Sequence, residues 1–258
     1  MGTLSSAHRV RWAYARAALA PLALTSVLWS VATLPVFWSA APVREVMNRI
    51  LVEERFKTGA LGTVLTDLVQ AKRTANPSLP DLARAEALVR LRLAEEATRR
   101  KSPEEADSEA TMAEQNLRGS LTLNPADSFL WLMLYSTQTT RKGFDPETVG
   151  YLDQSYATAP LDAWIALRRN RLALAIFPLM SEVLRERVVS EFTGLVDSGF
   201  TEDAAINLTG VGWEQRDRLL TSLASVNVIP REALAKRLAR DGVKASVPGV
   251  EIDERLWR

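Results

Sequence analysis

Hydrophobic positions change their pattern twice along the chain. From Ala17 to Val43 there are 27 residues without a charge, bounded by Arg16 and Arg44. As a helix, such a run reaches roughly 40 Å, enough to cross a hydrocarbon core of about 30 Å with a tilt. Beyond it the apolar residues recur at intervals of three and four. Leu82, Ala85, Val89, Leu93 and Ala97 make one stripe, Ala106, Ala110, Ala113, Leu117 and Leu121 a second, and Leu184, Val188, Phe192 and Leu195 a third. This spacing predicts amphipathic helices. Leu61, Val64, Leu65, Leu68 and Val69 predict a shorter one, and Val43–Lys57 a charged helix ahead of it. Phe129–Tyr135 is apolar on every side, so periodicity alone does not separate a buried helix from a buried strand. From Gly242 the period is lost, and Pro248 and Gly249 follow. The tail 241–258 is therefore expected to be flexible.

Turn chemistry divides these segments. Asn76-Pro77-Ser78-Leu79-Pro80-Asp81 and Asn124-Pro125-Ala126-Asp127 read as turns. Ser102-Pro103-Glu104-Glu105 reads as a helix start: a serine cap, a proline in the first turn and a glutamate three residues on. The acids Glu104, Glu105, Asp107 and Glu109 suit that start, because negative charge is favoured at a helix amino end.

A shift of 35 residues superposes Leu117 on Leu152, Ser120 on Ser155, Pro125 on Pro160 and Asp127 on Asp162. It also pairs Phe129 with Trp164, Leu130 with Ile165 and Leu132 with Leu167. A period of this length, with a proline turn and an aromatic-led helix, is what a helix-turn-helix solenoid produces. It favours a helix for Phe129–Tyr135.

At these residues the chain resembles tetratricopeptide (TPR) repeats. Leu117, Leu121 and Pro125 look like the end of a second repeat helix and its terminal proline. Leu132 and Leu167 look like the small-or-leucine positions of the following first helices. The usual Gly-x-x-Tyr is absent, and the likeness covers about residues 110–170. A wider likeness takes in Asn124-Pro125, Phe129–Tyr135, Arg171–Leu179 and Arg185–Val196. There the chain resembles the VpsP-like single-span proteins of bacterial exopolysaccharide loci. That resemblance implies TPR-like helices and an accessory role in polysaccharide synthesis or export, and brings no catalytic motif.

Charge bears on topology. Met1–Arg16 carries Arg9, Arg11 and Arg16 and no acid. Basic flanks stay cytoplasmic, so this leader is expected inside, 17–43 as a transmembrane helix, and the body outside. Trp12, Tyr14 and Trp38 near the ends of the run suit headgroup depth. Two other readings of the run remain: a signal peptide cut near Ser39-Ala40-Ala41, and a buried core helix. Its length favours the anchor. Residues 44–240 then form an all-α, TPR-like extracytoplasmic domain, in the periplasm of a bacterium, on the inner (plasma) membrane.

Composition removes several chemistries. Without the leader there remain 29 Lys and Arg against 31 Asp and Glu, a balance that argues against nucleic acid. Cysteine is absent, and the single histidine, His8, lies in the leader. Thiolate nucleophiles, Cys- or His-ligated metals and Ser–His pairs are thereby excluded from the body. No cofactor or metal is expected, and no catalytic residue is assigned. The expected function is a scaffold or adaptor for other envelope proteins; the alternative is a glycan-active enzyme using two carboxylates. The cluster Arg168, Arg169 and Arg171, followed by Arg185 and Arg187, suits carboxylate or phosphate, including anionic polysaccharide. An ordinary surface helix paired with Asp162, Glu182 and Glu186 is the competing reading. Trp131, Trp164 and Trp257 complete the candidate interaction residues, as aromatic anchors.

Overall fold

The structure, a computed structural model, describes residues 19, 21–31, 59–74, 80–100, 102–160 and 162–251. Among the described residues every regular element is helical and none is a strand. The chain divides into two compact units, Met1–Asn116 and Leu117–Arg258.

In the first unit, residues 21–31 are helical. Leu22, Leu24, Val27, Leu28, Trp29 and Val31 are all exposed. The rest of the expected span Ala17–Val43, apart from Leu19, lies outside the described residues, as do the leader 1–16 and the helix expected over Val43–Lys57. Among the described residues no helix is long and apolar enough to cross a membrane.

Helices α1 (Ala60–Thr74) and α2 (Pro80–Arg100) pack against one another. Leu61 and Leu68 of α1 are buried, as are Leu82, Ala85, Val89 and Ala97 of the expected α2 stripe. Leu93 is only half-buried; Ala94 takes its place inside. Glu86 also faces inward, held by Lys72 Nζ at 2.8 Å and Arg90 Nε at 3.1 Å. Burial opposes its ionisation most strongly, but the two cations together outweigh burial and keep its carboxyl below the ordinary range. Helix α3 (Pro103–Leu123) starts as its sequence indicates, with Glu105 N donating to Ser102 Oγ.

The second unit repeats a helical hairpin. Its further helices are α4 (Ser128–Lys142), α5 (Val149–Thr158), α6 (Ala163–Leu174), α7 (Glu182–Asp197), α8 (Thr201–Thr209), α9 (Arg216–Ser222) and α10 (Val228–Arg240). The 35-residue shift carries the end of α3 at Leu123 onto the end of α5 at Thr158, and the start of α4 onto the start of α6. The backbone at the two caps agrees as closely, Asp127 with φ −77° and ψ 93° and Asp162 with φ −75° and ψ 99°, although only Asp127 accepts from its helix, at Leu130 N. The helices pack on neighbours one to three along the chain: α4 on α5 and α6, α6 on α7 and α8, α7 on α8, α9 and α10, and α8 on α10. That connectivity is how stacked hairpins bury apolar faces no single hairpin could cover.

The α7 stripe Leu184, Val188, Phe192 and Leu195 is wholly buried. Gly199, at φ +84°, closes α7, with Gly199 N donating to Val196 O and Phe200 N to Leu195 O. This paired pattern satisfies carbonyls the helix end would otherwise leave open. Past α10 the expected loose tail differs. Residues 242–251 lack helix, yet Val247 is buried and Pro248 O accepts from Arg231 Nη1 at 2.6 Å. An apolar side chain and a guanidinium hold this part down. Residues 252–258, Trp257 among them, lie outside the described residues.

Candidate functional site

The arginine cluster is not a common patch. Successive residues of a helix point about 100° apart, so Arg168, Arg169 and Arg171 diverge. Arg171 is exposed and Arg168 half-buried, its guanidinium 5.6 Å from the Phe129 ring centroid. Arg169 is fully buried. Its Nε and Nη2 donate to Glu191 Oε1 at 2.9 and 2.6 Å. Nη1 donates to Ser155 O at 2.6 Å and to the hydroxyls of Ser128 and Ser155, and Nη2 also reaches Ala159 O at 3.0 Å. The guanidinium lies 4.0 Å from the Tyr156 ring centroid, and Tyr156 OH donates to Glu191 Oε2 at 2.5 Å. Every donor of Arg169 and both oxygens of Glu191 are therefore engaged. The run of arginines suggests a surface position for Arg169; it is instead a core cross-brace. Arg185 and Arg187 are engaged as well, the first with Phe177 O, Pro178 O and Glu182, the second with Asp153.

Burial pushes the Glu191 carboxyl up, against the pull of Arg169, Tyr156 and Asn170. Burial likewise drives the Tyr156 phenol well above its ordinary range, and Glu191 adds to it. A second polar ladder runs beside this one: Asn170 Nδ2 donates to Val188 O at 3.1 Å, and Asn207 Nδ2 to Asn170 Oδ1 at 3.2 Å. The brace belongs to one repeat only. One repeat earlier, Leu134 stands at the position of Arg169, and Ser120, the counterpart of Ser155, keeps a buried hydroxyl without a partner among the described residues.

Above this brace lies a groove of about 460 Å³. Tyr156, Pro160, Ala163 and Ala166 form one wall. The other is a face of α7 running from Val183 through Ser190 and Gly194 to Ser198, with Glu191 at its base. Its size and mixed lining are those of a ligand or side-chain site. Trp164, adjacent to the groove residue Ala163, is 41% exposed, with its ring centroid 4.8 Å from that of its repeat counterpart Phe129. Trp131 sits apart: Nε1 donates to Pro125 O at 2.8 Å, and its ring stacks on Tyr151 at 6.0 Å. Arg118 in turn donates to Tyr151 OH and lies over that ring.

Glu191, Tyr156 and the groove went unseen in the sequence, although a signal existed. Glu191 follows Val188 by three and Arg169 follows Ile165 by four, so both charges fall on apolar faces. Opposite charges on two neighbouring apolar stripes invite a buried pair. Among the described residues no group of three or more acids or other ligating side chains could hold a metal ion. Compared with known proteins, the chain matches no protein-family model, no curated protein and no solved structure.

Proposed function

We propose that the protein is a membrane-tethered helical scaffold, an adaptor of the bacterial cell envelope whose TPR-like hairpins offer a groove to other envelope proteins. The run Ala17–Val43 serves as the tether, with the basic leader in the cytoplasm and the helical body on the far side of the inner membrane. The observation that carries this reading is the surface of helix 21–31. Its apolar side chains are exposed, Leu22 at 66% and Trp29 at 73%. Its polar ones are satisfied from within: Thr25 Oγ1 donates to Pro21 O at 2.8 Å, Ser26 Oγ to Leu22 O at 2.8 Å and Ser30 Oγ to Ser26 O at 2.9 Å. A hydroxyl turned back on its own helix can enter lipid without losing a hydrogen bond. An accessory role in exopolysaccharide assembly is a narrower form of the same proposal, supported by the likeness at Phe129–Tyr135 and Arg171–Leu179.

Catalysis by paired carboxylates fits the groove poorly. The one acid there whose carboxyl is pushed up, Glu191, has both oxygens bound to protein. The test is topological. Alkaline phosphatase fused to the carboxyl end is expected to be active in intact cells, and a cytosol-dependent fluorescent protein dark. Leu24→Arg with Leu28→Arg, at about 2.5–3.5 kcal/mol for each central arginine, is expected to release the chain from washed membranes. A reporter active only in the cytosol overturns the reading.

A further inference from the structure

Resting on the scaffold reading, we propose that the groove along α7 receives a helix of a partner protein that is basic at both ends and small-faced between them. Glu186, Ser190, Gly194 and Asp197 recur at three and four residues, so they share the solvent-facing strip of α7. Glu186 and Asp197 are both exposed, and neither has a hydrogen-bond or ion-pair partner among the described residues. They lie about 16 Å apart along the axis. The nearby cations are committed elsewhere: Arg187 to Asp153, Arg185 and Arg218 to Glu182, Arg169 to Glu191. What the strip presents to an incoming partner is therefore negative at each end.

Between the acids the surface is low. Ser190 and Gly194 occupy the strip, and Pro160, Ala163 and Ala166 the facing wall. A glycine inside a helix weakens it relative to alanine. Here the protein's own packing does not ask for it, since a Cβ at Gly194 would meet nothing within 4 Å. The missing side chain leaves room for a backbone passing close above. The α7 face from Val183 to Ser198 runs four turns, about 22 Å. A groove of about 460 Å³ over that length is too shallow to enclose a helix and deep enough for the side chains of one face. A helix lying along α7 would set a lysine or arginine beside each acid and small residues over Gly194.

The experiment uses the full chain in phosphatidylcholine nanodiscs. The probe is a fluorescein-labelled, alanine-rich helix of about four turns with a lysine near each end; its twin carries glutamates instead. Saturable binding of the lysine helix is expected, with the twin weaker by about tenfold or more. Gly194→Leu is expected to weaken it by a similar factor with a melting curve no lower than the parent's, and Glu186→Lys with Asp197→Lys to reverse the preference. Equal binding of the twins, indifference to Gly194→Leu, or no saturable binding overturns the inference. Benzoylphenylalanine at Val183, read out in cells, keeps the two proposals distinguishable. A cross-linked partner segment that is acidic or non-helical sinks this inference and leaves the scaffold standing. No cross-linked protein from Val183 or from other exposed positions of the second unit sinks the scaffold.

Discussion

Tyr156 and Glu191 stand 35 positions apart, the length of the internal repeat, and meet in the core with the phenol oxygen 2.5 Å from Glu191 Oε2. Corresponding turns of α5 and α7 thus face each other. Arg169, from the helix between them, closes the triangle by bonding to Glu191 and covering the Tyr156 ring. Three successive helices are tied by polar contacts inside an apolar core. Hydrophobic packing alone tolerates sliding along a helix face. A guanidinium with all its donors met tolerates much less, so the brace sets how one hairpin sits on the next.

Breaking the brace on one side should be costly. Glu191→Leu leaves Arg169 charged, buried and short of two hydrogen bonds, and is expected to lose about 3–5 kcal/mol. Arg169→Met paired with Glu191→Leu removes both charges and should lose much less than the two single changes summed. Urea denaturation of the four proteins in a double-mutant cycle measures the coupling. Additive losses would mean the pair does not act as a unit.

The two buried glutamates should pull stability in opposite directions with pH. Glu86 has a carboxyl held below its unfolded value of 4.5. Its contribution is present above that value and fades as pH falls through the depressed folded pKa. Glu191 has a carboxyl raised above the same reference of 4.5. The native state then binds the proton more tightly than the unfolded chain, so its contribution is full below 4.5 and is lost as pH rises through the raised folded pKa. Thermal melts from about pH 3 to about pH 7 should show Glu86→Gln softening the acid-side decline and Glu191→Gln removing the decline above 4.5. If Glu191→Gln left the upper limb untouched, its carboxyl would not titrate in that window.

Much of the helical plan was legible in the chain, because three- and four-residue spacing and turn residues are local signals. The stripe Leu184–Leu195 and the serine start of α3 came directly from it. So did the repeat, whose two aspartate caps share one backbone geometry. Arg169 was misplaced because neighbours in sequence, Arg168 and Arg171, suggested a shared surface, whereas direction on a helix is decided by angle. The groove was invisible for a different reason. It is made by residues on α5, α6 and α7 whose proximity depends on packing, and its small residues carry no distinctive local pattern.

Two glycines should respond oppositely to the same substitution. A Cβ on Gly212 would lie 2.9 Å from Asn207 O, 3.1 Å from Leu219 Cδ1 and 3.3 Å from Leu174 Cδ1. Gly212 N also donates to Asn207 O at 2.8 Å, so the backbone there cannot move aside freely. Gly212→Ala is expected to destabilise by about 1–3 kcal/mol. Gly194→Ala meets open space inside a helix and should stabilise by up to about 1 kcal/mol. Urea midpoints of the two variants decide it; a stabilised Gly212→Ala would show that α8, α9 and their link are looser than these contacts imply.

The stretch after α10 should behave as a lid on the last helices. A stack of hairpins leaves an apolar face open at its end, and something must cover it. Val247 is 2% exposed, and Ala245, Ser246 and Pro248 lie beside Leu220 and Thr221 of α9. Arg231 of α10 clamps the same segment through Pro248 O. Val247→Ala is expected to cost about 1–2 kcal/mol, and Arg231→Ala about 1 kcal/mol from the lost bond. Hydrogen exchange gives the sharper view. The amide of Val250, which donates to Val247 O, should be protected in the parent chain and exchange faster in Arg231→Ala, before the amides inside α7 respond. Protection unchanged in that variant would show that Val247 alone seats the segment and the guanidinium is incidental.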